Sequence, residues 1–164
     1  MQHEDCSRVV MTRAAADVLR RVRADNGDVI LHQSGGCCEG STPLCVLAAH
    51  FVVAPADRLL GSVLDGVDAD ARPTPVWISF RQQEAWAHTQ VVLDVVPSDG
   101  LGYSLEGDLG FAFVSRARVF TPEELAAVAP APSRQQLEDG EAVAPVPVAP
   151  VDLSGPWVGL CSLP

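Results

Sequence analysis

Apolar and polar positions follow two periods along this chain, and the switches between them mark out short elements. After Thr12, a helix-capping residue type, Ala15, Val18, Leu19 and Val22 fall at i, i+3, i+4 and i+7, while Asp17, Arg20, Arg21 and Arg23 take the other side. This predicts an amphipathic N-terminal helix stopped by Asn26 and Gly27. Val29 to Gln33 reads as a strand and Ser34 to Cys45 as a loop. Further strands are expected around Leu47 to Val53, Leu59 to Leu64 and Val76 to Ile78, each bounded by Pro, Gly or Asp. Ser79 and Gln82 have capping-box spacing for a short helix from Phe80 to about Ala87. The strongest strand signal is Thr89 to Val96, a mostly β-branched run that stops at Pro97.

Tyr103 to Glu106 and Phe111 to Ser115 flank a turn signal at Gly107 to Gly110 and read as a hairpin. Thr121, Pro122, Glu123 and Glu124 open a last helix, with a cap, a proline at the first helical position and acids in the first turn. The predicted fold class is α+β: small mixed or mainly antiparallel β-structure with an N-terminal helix, a short central helix and a C-terminal helix.

Composition divides the chain. Seven of its 13 prolines fall in the last 35 residues, where they can neither continue a helix nor fill a central strand. Residues 1–129 are therefore expected to form one globular domain, and residues 130–164 a Pro-rich extended or disordered tail. The end of that tail, Trp157 to Cys161, is apolar enough to dock on its own domain or on another chain.

Charge narrows the chemistry. The 164 residues carry 21 acidic and 11 basic side chains, for a formal net charge of −10, and every basic residue is arginine. Without lysine there is no Schiff-base enzyme, no pyridoxal-phosphate anchor and no Walker-type phosphate loop, and no nucleotide cofactor is expected. An acidic surface argues against nucleic acid and anionic membrane as partners. No apolar run approaches the roughly 18 residues of a membrane span, and Met1 to Val10 lacks a secretory pattern. The expected location is the cytoplasm, with the five cysteines reduced. A homo-oligomer remains open.

The densest chemistry lies in His32-Gln-Ser-Gly-Gly-Cys-Cys-Glu-Gly-Ser41, followed by Cys45. Three cysteines within nine positions of a reduced chain favour metal binding or thiol chemistry, since zinc and iron take thiolate and imidazole ligands. The candidate metal set is Cys38 and Cys45, completed by Cys37, His32 or His88. Reduced cysteine is also among the most buried residue types, so three small core residues on a glycine loop are the plainer alternative. A second cluster holds Glu84, His88 and Asp94, where a carboxylate could fix the imidazole tautomer. Asp94 interrupts an apolar strand, and Arg116 or Arg118 is its expected partner.

The leading reading is a cytoplasmic metal- or cluster-binding protein using zinc, iron or an iron–sulfur cluster. One alternative is a thiol enzyme or redox protein, with Cys37 or Cys38 as nucleophile and His88 as base. The other is a non-catalytic binding module or regulator.

The stretches Met11 to Ala16, His32 to Ser41 with Cys45, Gln83 to Gln90, Asp94 to Pro97, Ser104 to Gly107 and Arg116 to Phe120 together closely resemble the bacterial domain-of-unknown-function 779 family over about residues 9 to 125. Members of that family are often encoded beside aldehyde dehydrogenases. The resemblance implies an accessory or regulatory role toward such a dehydrogenase, and no established activity. The chain also resembles, more weakly, the A-type iron–sulfur carriers of the HesB kind, through a Thr-x-x-Ala-Ala helix, Gly35 to Gly40 and the pair Gly110-Phe111. That likeness implies a similar small α+β fold. The late Cys-Gly-Cys of those carriers has no counterpart here beyond Cys161.

Overall fold

The computed structural model describes residues 6–34, 42–100 and 102–152. Cys37 and Cys38 lie outside the described residues, as does the segment Trp157 to Cys161. The order is β1 (Val9–Met11), α1 (Arg13–Asn26), β2 (Val29–Gln33), β3 (Leu44–Leu47), β4 (Arg58–Leu64), β5 (Pro73–Ile78), α2 (Phe80–Trp86), β6 (Thr89–Pro97), β7 (Phe111–Val119), α3 (Pro122–Ala127) and α4 (Arg134–Glu138). The fold class is α+β, and no helix among the described residues is long and apolar enough to cross a membrane.

Helix α1 forms where its sequence signals place it. The Thr12 hydroxyl accepts from the Ala15 amide at 3.1 Å, while Gly27, at φ +86°, turns the chain out of the helix and donates its amide to Arg23. The helix buries Ala15, Ala16, Val18, Leu19 and Val22. Each of the three larger side chains stabilises the fold by about 1.5–3 kcal/mol.

The strands make two sheets, of order β1-β6-β7 and β3-β2-β5-β4. In the first, β1 runs parallel to β6 and β7 antiparallel to it, with nine residue pairs from Thr89↔Val119 to Pro97↔Phe111. In the second, β2 lies antiparallel to β3 and parallel to β5, and β4 is antiparallel to β5. One core joins them: Leu19 and Val22 of α1, Leu31 of β2, Ile78 of β5, Leu93 of β6 and Phe113 of β7 are all buried in it. On the same side, the buried Gln33 side-chain oxygen Oε1 accepts from the Ser115 hydroxyl at 2.8 Å, linking β2 to β7.

Several expectations change. The strand expected at Leu47 to Val53 ends at Leu47 and gives way to a 3₁₀ turn at Ala48–His50, because its partner β2 begins only at Val29 and the ladder runs out after the bond from the Ala48 amide to the Asp28 carbonyl. Cys45 belongs to β3 rather than to the loop. The hairpin expected from Tyr103 to Ser115 does not form. Leu105–Leu109 is a 3₁₀ turn, and β7 pairs along its full length with β6, which satisfies more backbone than a short hairpin would. Ser79 stands at the N-cap of α2 without a side-chain capping bond. Strand β5 starts at Pro73, earlier than expected. Its parallel partner β2 pairs only from Val76, so the missing amides of Pro73 and Pro75 deprive no neighbour.

Residues 130–152 lie along the body. The Leu59 amide bonds the Pro132 carbonyl at 2.8 Å, and α4 follows under a Ser133–Gln136 capping box. Further on, Val148 exchanges bonds with Ser62 and Leu64 of β4, and Val151 with Met11 of β1 and Arg13 of α1. The segment thereby joins the edge strand of one sheet to the edge strand of the other. Cys6 is disulfide-bonded, so the expectation of five reduced thiols fails at that position.

Candidate functional site at the end of strand β2

Strand β2 carries Leu31 and His32 to opposite faces, since successive strand residues alternate. Leu31 pairs with Cys45 and faces the core, whereas His32 pairs with Leu44 on one side and Trp77 on the other. The outer face bearing His32 is roofed by the 51–57 loop. The Phe51 ring lies 4.8 Å from the imidazole, centroid to centroid.

The imidazole is 5% exposed and fully engaged. Nε2 lies 2.8 Å from Asp57 Oδ2, and Nδ1 lies 2.7 Å from Ser34 Oγ. An ionised carboxylate only accepts, so Nε2 facing it is a donor, and in the neutral tautomer this selects, Nδ1 is the acceptor for the Ser34 hydroxyl. Asp57 is itself buried, and the same Oδ2 accepts the Ala54 amide at 3.0 Å. Its backbone is fixed as well: the Asp57 carbonyl accepts the Arg134 amide of α4 at 3.0 Å, and the Pro55 carbonyl accepts that of Gln135. The Pro-rich part of the chain thus braces the carboxylate that orients His32. Ser34, by contrast, is exposed, at the point where β2 runs into the glycine–cysteine segment.

The expected ligand set is not brought together. Cys45 is fully buried on the other face of the sheet from His32. Burial, and after it the Glu106 charge, pushes its thiol far up, so Cys45 stays protonated and is a core residue. His88 lies exposed in the turn between α2 and β6, in the other sheet, and its carbonyl accepts the Phe120 amide. Helix α2 ends at Trp86, before the pairing of Glu84 with His88 on one helix face could arise. Among the described residues, no three His, Cys, Asp or Glu side chains stand together as a metal site. Cys37 and Cys38 are outside that statement.

The other expected groups take structural places. Asp94 pairs with Arg116 at 3.0 Å and accepts the Thr12 hydroxyl. Arg118 instead makes a two-pronged pair with Glu124, at 3.0 and 3.2 Å. Sequence reasoning missed two carboxylates. Asp57 sits 25 positions from His32 in a proline loop, with no periodic signal. Glu106, which the pattern places at the end of a hairpin strand with no buried role, is 2% exposed and accepts from the Phe113 amide and the Ser104 hydroxyl.

A family model described as a domain of unknown function (DUF779) matches residues 18–119. No curated protein and no solved structure matches the chain.

Proposed function

The chain belongs to the DUF779 family, and we propose that it is a metal- or cluster-binding accessory protein whose ligands are His32 and the thiols of Cys37 and Cys38. The observation that carries this reading is the Asp57–His32 pair. Histidines that ligate metals donate the second ring nitrogen to a carboxylate, which fixes the tautomer and raises the basicity of the ligating nitrogen. His32 has that arrangement, with Nε2 on Asp57 and Nδ1 toward the exposed Ser34 hydroxyl, which a metal would displace, and the first of two adjacent thiols follows five positions after His32 in the sequence. Zinc and iron suit a site of imidazole and thiolate. Cys45 and His88 drop out of the set for the reasons of face and exposure given above. The accessory role, toward an aldehyde dehydrogenase, rests on the family resemblance alone.

The test is elemental analysis of untagged protein. A stoichiometric metal that is lost in His32→Ala and Cys38→Ser but retained in Cys45→Ala and His88→Ala is the expected result. Metal-free protein, or metal indifferent to His32, overturns the reading.

A second reading has its own observation, the exposed Ser34 hydroxyl 2.7 Å from Nδ1. Hydroxyl, imidazole and carboxylate in line are the parts of an activated nucleophile, and a thiol of the following segment could use the same base. His32 then replaces His88 as the base. Chelator-resistant turnover of an activated ester, abolished in His32→Ala, would favour this reading over the metal centre.

A further inference from the structure

A cavity lies away from His32, between the start of β3 and the segment that joins β6 to β7. It encloses about 130 Å³. Leu44, Pro43 and Phe111 give it apolar walls, Ser104 and Glu106 line it as polar groups, and Tyr103 lies beside them, 96% exposed. The segment is held rigidly. Gly100, at φ +73°, passes so close to Gly107 that a Cβ there would stand 2.7 Å from the Gly107 carbonyl oxygen.

Glu106 is 2% exposed, yet among the described residues no arginine or histidine lines the cavity. The Phe113 amide reaches one carboxylate oxygen and the Ser104 hydroxyl the other, and Ser104 in turn accepts the Cys45 amide at 2.8 Å. Each carboxylate oxygen has a second acceptor site, so the group retains capacity toward a donor in the cavity. A buried carboxylate with neutral partners alone favours an incoming cation, and the net charge of −10 draws cations to the protein. A volume of about 130 Å³ holds a few non-hydrogen atoms, at roughly 30 Å³ for a liquid water.

We infer that this cavity is a binding site for a small primary alkylammonium ion, with the ammonium on Glu106 and the short alkyl chain against Leu44 and Phe111. The site stands independently of the His32 centre, on different residues.

The test is amide chemical-shift titration of the full chain with propylammonium chloride, beside 1-propanol and sodium propionate as isosteres of other charge. Saturable shifts of Ser104, Glu106 and Phe111 are expected with propylammonium, at an affinity about tenfold or more above that of either isostere. They should vanish in Glu106→Gln and also in Ala112→Leu, which enlarges a further lining residue and keeps the carboxylate; thermal melts check that each variant is folded. Equal binding of propanol would reduce the cavity to an apolar hole and overturn the inference. So would no saturable shift, or propylammonium binding that survives in folded Ala112→Leu.

Discussion

His32 and Cys45 occupy opposite faces of one sheet, because Cys45 pairs with Leu31 and His32 with Leu44. A single ion cannot be held by both. Cys45→Ala is therefore expected to keep the full metal content of the native protein, whereas Cys45→Ser places a hydroxyl where the thiol had a dry environment and lowers stability by about 1–3 kcal/mol. Parallel elemental analysis and urea denaturation read the two effects separately.

Asp57 touches no solvent-facing ligand position and acts through the imidazole. Asp57→Asn keeps the shape but presents an amide to Nε2, which favours the wrong tautomer for Nδ1 as a ligand. Metal affinity in a chelator competition is expected to fall about 10- to 100-fold. An unchanged affinity in folded protein would show that the carboxylate serves the loop alone.

The pair of Arg118 and Glu124 sets an acid limit on the fold. Burial pushes the Glu124 carboxyl up, but the Arg118 guanidinium and the Thr121 amide outweigh it and hold the group below its ordinary 4.5. Asp94 follows the same balance, with burial opposed by the Val95 amide, Arg116 and Thr12, and lies below 3.8. A depressed carboxyl contributes in full above its unfolded value and loses that contribution as pH falls through the folded one. Stability should accordingly decline below about pH 4.5. Glu124→Gln should flatten that decline and cost about 1.5–3 kcal/mol at neutral pH. Denaturant midpoints between pH 2 and 7 decide it.

The chain from 141 to 152 contributes through few groups. Val148 donates its amide to Ser62, while Val146 is 81% exposed and lies outside the backbone bonds to β4 and β1. Val148→Pro removes that donor and is expected to cost about 1 kcal/mol or more, against less than about 0.5 kcal/mol for Val146→Pro. Equal melting temperatures for the two variants would mean that the segment adds nothing to the body.

Local chemistry made much of the fold legible. Thr12 and Gly27 bound α1, Val29 to Gln33 is β2 as read, and Thr121 with Glu124 forms the capping box of α3. The signals there are confined to a few consecutive residues. Ser133 and Gln136 carry the same spacing and cap α4, inside a Pro-rich stretch whose composition predicts extended chain. The site was less legible. His32 and its loop stood out by residue type, but Asp57 is fixed by tertiary contacts with Arg134 and Ala54, and nothing within its own few residues announces that role.

The sequence by itself determined the α+β class, the ends of α1 and the start of α3, the unusual thiol-rich segment and the absence of lysine chemistry, because each depends on residue type and near spacing. Only the tertiary structure decided which groups meet. Strand register sent His32 and Cys45 to different faces, long-range packing brought Asp57 to His32, and the Pro-rich segment found its place along β4 and β1. Register and docking are set by burying one continuous core from distant parts of the chain, and that constraint leaves no mark in any short stretch of it.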